Sequence, residues 1–374
     1  MFYPKSIGSK LGFDLVLEKV AHFCETSKGL SHIGRIRSTD NHDQIMMWLQ
    51  QTNEVLQIIE KGDLSFSLAL DFDLQEKAAR SIGFFYEIED IKNIQSLLLV
   101  LQRILVFLED KASDYPNLVA LFQGIAPDFE LITAIDQIIG PDDEIKPGAS
   151  KTLQKIVNDI TKAEREIIRS STSLFNNAKE KGYLGDTKLG IKNGRVVLPV
   201  LSEHKRKING LFIDQSGTGK ISYIEPIELV GLNNELAELH IKKRQEIVLI
   251  LRSLTARIVV YLEDIKLGVQ RLGAFDFIRA KARLASEWSC VLPSIGQDTR
   301  VKAAKHPLLA DRLRTENKEI IALDYDLHAN QRLIVISGPN AGGKSVSLKT
   351  VGLLQYMLQS GFLVPCSVVS TFHL

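Results

Sequence analysis

Eight consecutive residues near the end of the sequence have the spacing of a phosphate-binding loop. They fit the pattern G-x-x-x-x-G-K-[ST], in which glycines allow backbone N–H groups to turn toward a phosphate. The apolar residues 332–336 before the loop predict a buried strand, and residues 344–358 after it predict an amphipathic helix. We expect Lys344 to contact the β- and γ-phosphates of ATP and Ser345 to bind Mg²⁺, so these two are the candidate catalytic residues. The predicted nucleotide site comprises Gly338, Pro339, Asn340, Ala341, Gly342, Gly343, Lys344 and Ser345.

ATP hydrolysis at such a loop also needs an acidic residue at the end of a second strand, which holds Mg²⁺ and orients water. The residues that follow Ser345, up to Leu374, include no Asp or Glu. We therefore expect the sequence to be the amino-terminal part of a longer ATPase. We also expect residues 1–374 alone to have no significant ATPase activity.

Composition narrows the class of protein and the kinds of partner. Of the 374 residues 45% are hydrophobic and 24% are charged, and the net charge is +1, which is typical of a soluble globular protein. A nearly neutral chain does not coat nucleic acid uniformly, so any basic binding surface has to be local. The three cysteines lack metal-ligand or paired spacing, which favours reduced thiols in the cytoplasm. No apolar stretch is long enough to cross a bilayer, so no membrane partner is predicted.

Helical periodicity runs through most of the sequence and predicts a mainly α fold with a smaller α/β part. Residues 1–145 are predicted to form a helical core domain, and residues 300–374 are predicted to form the start of a P-loop ATPase domain. Between them, Leu153, Ile160 and Ile167 repeat every seven residues, and a similar pattern runs from Leu229 to Ile265. These repeats predict two long antiparallel lever helices, within residues 146–182 and 228–290.

The segment between the levers, residues 183–227, is rich in Gly and β-branched residues and predicts a small β-rich clamp. Strands are expected at 195–200, 210–214 and 221–225, with a hairpin turn at 215–220. The segment is also basic, as a contact with a phosphate backbone requires. The residues predicted to bind nucleic acid are Lys192, Arg195, Lys205, Arg206, Lys207 and Lys220.

Several of these segments resemble one family, the MutS DNA-repair ATPases. The phosphate-binding loop is similar to the G-P-N-x-G-G-K-[ST] loop of that family. His306-Pro307-Leu308-Leu309 resembles the element that opens its ATPase domain, and Gly361–Pro365 the stretch after the loop helix. Three segments in and beside the clamp resemble the type-two branch, which lacks the mismatch-reading domain: Arg195–Val200, Ser222–Pro226 and Leu232–Leu236.

This resemblance implies a homodimer whose levers and clamps surround duplex or branched DNA and whose ATPase sites are completed across the dimer. It also implies a role in DNA repair or in regulating recombination, and a carboxy-terminal nuclease domain. Ile320 occupies the position that packs on adenine in the family. We expect nucleotide state to be coupled through the levers to the opening and closing of the clamp.

Two other functions stay open. The same basic clamp would serve a nucleotide-regulated quality-control factor that binds the ribosome or its RNA, because a clamp that reads the backbone does not distinguish the two nucleic acids. An ABC/SMC-type ATPase with a coiled-coil arm is the third interpretation. It is disfavoured because such chains place the phosphate-binding loop before the arms, whereas here the loop follows both.

Overall fold

The computed structural model of the chain describes residues 6–63, 68, 74, 81–185, 188–328, 330, 333–337 and 343–374. The chain divides into two compact units. Unit 1 is formed by Met1–Leu74, Asn93–Phe129 and Tyr261–Leu374, and unit 2 by Gln75–Lys92 and Glu130–Val260. Helices predominate among the described residues of both units, and two small sheets accompany them, which confirms the prediction of a mainly α fold with some β structure.

Unit 1 is built mostly from helices that are far apart in the sequence. Its helices are α1 (Ile7–Leu11), α2 (Phe13–Phe23), α3 (Ser27–Ile33), α4 (His42–Lys61), most of α5 (Ile88–Asp110), α6 (Pro116–Leu121), α10 (Leu262–Glu287), α11 (Pro307–Thr315) and α12 (Lys344–Gln359). Two of the boundaries of these helices fall at a glycine and a proline. Gly62 ends α4 in a left-handed conformation with φ 71°, and Pro116 is the first residue of α6.

Helix α10 is the central element of unit 1 and packs against α2, α3 and α4. Asp276 on α10 is fully buried and its carboxylate accepts hydrogen bonds from the backbone N–H groups of Glu25 (2.9 Å) and Thr26 (2.8 Å). Arg279, one turn later, forms an ion pair of 2.8 Å with Glu25. Because buried charges are costly unless they are paired and hydrogen-bonded, this cluster fixes α10 against the turn between α2 and α3.

The sheet of unit 1 has the strand order β5-β8-β6-β7, with β5 at Ser294–Ile295, β6 at Thr299–Ala304, β7 at Leu323–Leu327 and β8 at Thr371–Phe372. Strand β6 pairs antiparallel with both of its neighbours, and β5 pairs parallel with β8. Gly361, after α12, has φ 77°, and a Cβ on it would lie 2.6 Å from Cβ of Trp48. Only glycine fits this position, because the backbone is left-handed and α4 approaches it closely.

Unit 2 contains α7 (Glu130–Ile138), two long helices and one sheet. The long helices are α8 (Lys151–Glu180) and α9 (Ile227–Val260), and they run antiparallel as predicted. Near the start of α8 the hydroxyl of Ser150 donates to Glu246 (2.7 Å), while farther along α8 Ile160 and Ala163 pack on Leu239. The hydroxyl oxygen of Ser150 also accepts from the N–H of Leu153 (2.9 Å) and so caps α8. The predicted seven-residue repeat is buried, since Leu153, Ile160 and Ile167 all lie inside the protein.

The sheet of unit 2 lies in sequence between these two helices, and we refer to it as the tip sheet. Its order is β1-β2-β4-β3, with β1 at Gly190–Lys192, β2 at Arg195–Leu201, β3 at Gly210–Gln215 and β4 at Ile221–Pro226. All pairs are antiparallel. One face packs on the end of α8, where Phe175 and Ala178 contact Leu198, Val200 and Ile224. The three predicted strands and the turn at 215–220 are therefore confirmed.

Helix α5 is, among the described residues, the one helix whose length and apolar composition would allow it to cross a membrane. Its side chains Ile91, Leu98 and Leu101 are fully buried in the protein. Buried core helices of soluble proteins pass the same test, so this feature is weak evidence for a membrane span.

Two local predictions were wrong. Residues 333–337 form no strand, and Leu333 and Val335 are 88% exposed. An apolar strand needs neighbouring strands and a covering layer, and the described residues supply neither to this segment. The second lever was predicted to continue as one helix to Ile265, but α9 ends at Val260 and α10 begins at Leu262, with Tyr261 between them outside helical geometry.

Candidate nucleotide and nucleic-acid sites

The described part of the predicted nucleotide site begins at Gly343, and residues 338–342 lie outside the described residues. Gly343 has φ 88° and precedes α12, whose first residues are Lys344 and Ser345. Lys344 is half-buried and Ser345 is exposed. The predicted helix after the loop is confirmed, and its buried side includes Leu353, Leu354 and Met357. The nucleotide-binding role of these residues stays a prediction.

The start of α12 suits an anion. No side chain caps its N-terminus within the described residues, and its first turn contains no acidic residue. The N–H groups of a helical first turn have no partner inside the helix and carry a partial positive charge, so they favour a phosphate. Lys344 would add a full positive charge, and Ser345 would add a hydroxyl ligand for a Mg²⁺ ion held by the phosphates. These residues therefore fit ATP with Mg²⁺.

His306-Pro307 lies beside this helix. Pro307 is the first residue of α11, where proline is favoured, and Nδ1 of His306 accepts from the N–H of Leu309 at 3.4 Å. Burial lowers the pKa of His306, and the positive charge of Lys349 on α12 lowers it further. The imidazole thus caps α11 and lies close enough to the loop helix for the charge of Lys349 to lower its pKa.

Ile320 is half-buried and lines a cavity of about 520 Å³ together with Trp288, Pro307 and Lys318. The indole Nε1–H of Trp288 is buried and has no hydrogen-bond partner within the described part of the chain. The cavity has an apolar wall at Ile320, and an apolar wall suits the face of an aromatic base.

Four of the six cations predicted to bind nucleic acid come together at one end of the tip sheet. Lys205, Arg206 and Lys207 lie in a short 3₁₀ segment, Ser202–Lys207, and all three are exposed. The N–H of Ser202 donates to the carbonyl of Lys220 (2.9 Å), which brings the turn with exposed Lys220 beside that segment. Lys207 also lies over the ring of Tyr183 at 5.2 Å. We call Lys205, Arg206, Lys207 and Lys220 the basic tip.

The other two cations, Lys192 and Arg195, lie at the opposite end of β2. The strand is seven residues long, and at about 3.3 Å per residue its ends are about 20 Å apart. Both cations have intramolecular partners. Lys192 pairs with Asp214 (3.1 Å) and lies 4.5 Å from the centre of the Tyr223 ring. The N–H of Gln215 and the ammonium of Lys192 hold the pKa of Asp214 below its usual value.

Arg195 belongs to a buried polar network. Its Nη1 donates to both carboxylate oxygens of Glu225 (2.8 and 2.9 Å), and its Nη2 donates to Asn234 (2.7 Å). Glu225 is fully buried and also accepts from Nδ2 of Asn233 (2.8 Å). This arrangement fixes the start of α9 on the tip sheet and favours a structural role for Arg195. The nucleic-acid role predicted for Lys192 and Arg195 stays a prediction.

A second group of cations was missed from the sequence. Lys162, Arg165 and Arg169 on α8 line an open groove of about 790 Å³ with Glu166 and Glu228. Their spacing of three and four residues places them on one face of the helix, and this spacing was the signal available in the sequence. Among the described residues, no group of three or more His, Cys, Asp or Glu side chains is arranged to hold a metal ion.

Similarity to known proteins extends along nearly the whole chain. Endonuclease MutS2 of Enterococcus faecalis is 32% identical over 363 residues, which are 96% of this chain and 45% of that protein. Endonuclease MutS2 of Clostridium beijerinckii is 33% identical over 360 residues, which are 95% of this chain and 45% of that protein. Endonuclease MutS2 of Agathobacter rectalis is 36% identical over 292 residues, which are 76% of this chain and 36% of that protein.

The chain belongs to the MutS2 family. The resemblance to the type-two branch of MutS is therefore confirmed. The chain spans less than half the length of the curated MutS2 relatives it matches. No protein-family model matches the chain.

The extent of the MutS2 similarity is informative, because it covers both compact units. The alignment with the E. faecalis protein spans 96% of the chain, so the aligned region includes the tip sheet as well as the loop helix. The candidate nucleotide residues and the basic tip thus both lie within the region that is similar to MutS2.

Proposed function

We propose that this chain supplies a nucleotide-binding loop and a nucleic-acid contact surface to an ATP-regulated DNA-binding protein. The observation that carries the proposal is the basic tip. Its four exposed cations converge from two separate segments at one end of a sheet, and none of the four has a salt-bridge partner among the described residues. Such a cluster in a chain of net charge +1 is suited to phosphates, which supply most sequence-independent affinity.

DNA is the proposed partner, duplex or branched. The relatives are named endonucleases, and an endonuclease acts within a nucleic-acid strand. A regulatory role in recombination or repair is proposed with it. Ribosomal RNA is the alternative partner, because the cations of the basic tip would bind the phosphates of a DNA or an RNA backbone alike.

ATP with Mg²⁺ is the proposed nucleotide. The uncapped start of α12, with Lys344 and Ser345, supports phosphate binding, and the cavity at Ile320 supports a base. When bound, Mg²⁺ would neutralise phosphate charge, while Lys344 orients the phosphates and Ser345 holds the ion. We propose that the ATPase works in the full-length cytoplasmic protein as a homodimer, together with a nuclease domain. Residues 1–374 alone should hydrolyse no ATP above a Lys344→Ala control.

The salt dependence of DNA binding tests the basic tip. The triple variant Lys205→Ala, Arg206→Ala, Lys207→Ala should reduce the slope of log K against log salt. The expected reduction is up to about 0.9 for each phosphate of duplex DNA that these side chains neutralise in the wild type. The matched control is the triple variant at 242–244, where the sequence Lys-Lys-Arg on α9 carries the same charge in the same unit.

The control variant should keep the wild-type slope. Equal slopes for the tip variant and the wild type would place the nucleic-acid surface elsewhere. Parallel titrations with branched DNA, duplex DNA and ribosomes decide between the two partners, and tighter binding to ribosomes than to either DNA would favour the RNA alternative.

A further inference from the structure

Unit 1 contains a cavity of about 780 Å³ that plays no part in the sites described above. It lies between α10 and the segment that joins α3 to α4, and Ser360 after α12 contributes to its wall. The described residues of the phosphate-binding loop, Gly343, Lys344 and Ser345, do not line it. Its volume is within the range of small-molecule sites, about 300–1,000 Å³.

The charge of the lining is one-sided. Five basic side chains line the cavity, and no Asp or Glu does so among the described residues. The five are His32, Arg35, Arg37, Arg271 and Lys281. Four of the five are Lys or Arg, whereas the whole chain has 46 Lys and Arg against 45 Asp and Glu, so this asymmetry is local. None of the five has a salt bridge to a carboxylate within the described residues.

Lys281 is the least expected member of this set. It is 4% exposed, and its ammonium donates to the carbonyl of Gly361 at 2.9 Å and lies 5.1 Å from the centre of the Phe277 ring. Burial lowers the pKa of Lys281 to about 7. A buried cation without a counter-charge is costly, and an anion in the cavity would offset that cost.

Two further donors beside the cavity are unsatisfied. The hydroxyl of Ser360 is buried, with the residue 5% exposed, and Nε of Arg271 is buried as well. Neither has a hydrogen-bond partner within the described part of the chain. Buried polar groups in native proteins are rarely left unpaired, so a ligand with several acceptor oxygens would satisfy the wall.

The rest of the wall suits a planar ring. Trp48 and Phe277 are aromatic, and Phe277 stacks on His32 with ring centres 5.9 Å apart. Gln51 adds an amide next to Trp48 on the same helix turn. Aromatic faces bind planar rings by stacking, and arginine binds phosphate by paired hydrogen bonds.

We propose that this cavity binds a small planar anion of the nucleoside monophosphate class, with the phosphate at the arginines and Lys281 and the ring at Trp48. The site is independent of the phosphate-binding loop. A nucleotide in it would bridge α4 and α10, the two helices that supply Trp48 and Lys281.

The sequence provides a direct reporter for a test. The chain has two tryptophans, Trp48 in this cavity and Trp288 at the cavity of Ile320. In a Trp288→Phe background, titration with AMP should change the fluorescence of Trp48 in a saturable way with a Kd below about 1 mM. Adenosine and inorganic phosphate should each bind at least about 10-fold more weakly, because each lacks one half of the ligand.

Three variants separate this site from the loop and from a folding defect. Arg35→Gln, at an exposed position of the wall, should raise the Kd for AMP about 10-fold or more, and Lys281→Met should do so as well. Lys344→Ala should leave the Kd unchanged. Far-UV circular dichroism verifies the fold of each variant.

The absence of saturable binding of AMP to the Trp288→Phe protein, repeated by calorimetry on the wild type, would overturn the proposal. Loss of binding in Lys344→Ala with retention in Arg35→Gln would assign the AMP to the phosphate-binding loop instead. Inorganic phosphate binding as tightly as AMP would overturn the role of the aromatic wall.

Discussion

The ion pair between Arg195 and Glu225 gives a quantitative test of how the tip sheet is held to α9. Glu225 is fully buried, and Arg195 supplies its positive partner with a side chain that is 32% exposed. Replacing Arg195 with Met would leave the carboxylate buried, with Asn233 as its one remaining side-chain donor among the described residues. Removing one member of a buried pair costs about 3–5 kcal/mol. The partial exposure of Arg195 places the expected loss near the lower limit, at about 3 kcal/mol.

A double-mutant cycle isolates the pair. Glu225→Gln alone should cost about 1–2 kcal/mol, since a neutral amide still accepts from Asn233 and Arg195 while one charge-assisted bond is removed. The double variant should cost little more than Glu225→Gln, because no buried charge remains. The expected coupling energy is thus about 2–3 kcal/mol.

Local opening free energies from native-state hydrogen exchange are the suitable measurement, because two compact units do not guarantee a two-state transition. The informative amides are those of β2 and β4. Additive effects within about 0.5 kcal/mol would refute the reasoning and mean that Arg195 and Glu225 are not energetically coupled.

Three further predictions concern unit 1 and the full-length protein. Gly361→Ala should destabilise unit 1 by about 2–5 kcal/mol, from a left-handed backbone and overpacking against Trp48. The control Gly34→Ala should be nearly neutral in the same unfolding assay, because Gly34 has an ordinary helical backbone and a Cβ there would lie 3.9 Å from the nearest atom, the carbonyl oxygen of Ser31. Burial raises the pKa of Glu25, but the N–H of Leu68 and the guanidinium of Arg279 outweigh burial and lower the pKa to about 2. Ionised Glu25 therefore contributes stability above pH 4.5 that disappears as the pH falls toward 2. The melting temperatures of wild type and Glu25→Gln should converge over that range, and a constant difference between them would contradict this prediction. In the full-length wild-type protein, a non-hydrolysable ATP analogue should shift DNA affinity by about 5- to 150-fold. The same analogue should not change the DNA affinity of Lys344→Ala. An unchanged DNA affinity in the wild type would mean that the phosphate-binding loop and the basic tip are uncoupled.

The sequence was most informative where one short pattern determines one element. The seven-residue repeat of Leu153, Ile160 and Ile167 predicted both α8 and its buried face, because a helix that packs along its whole length on one partner needs such a repeat. The tip strands were equally clear. Strand β1 was missed although Asn193-Gly194 precedes β2, with φ of 52° and 75°. Asn-Gly is a strong signal for a tight hairpin, and the strand it joins is only three residues long.

Tertiary contacts decided the rest. Residues 333–337 have the composition of a strand, but strand formation requires pairing partners that a local pattern does not reveal. The break at Tyr261 is invisible in the spacing of Ile258 and Ile265, which is compatible with one continuous helix. The roles of Arg195 and Lys281 also depended on residues far away in the sequence. A tally of charges within the clamp segment could not identify Arg195 as the partner of a buried carboxylate.

The contact between Thr26 and Asp276 has a consequence for biosynthesis. These residues lie 250 positions apart in the chain, and α10, which carries Asp276, is the helix on which α2, α3 and α4 pack. At about 5–20 residues per second, a ribosome needs about 10–50 s to make the intervening segment. Both segments of unit 2 lie between Thr26 and Asp276 in the sequence. Unit 2 is therefore fully synthesised before α10 is complete. The first helices therefore lack their packing surface on α10 until unit 2 has been made.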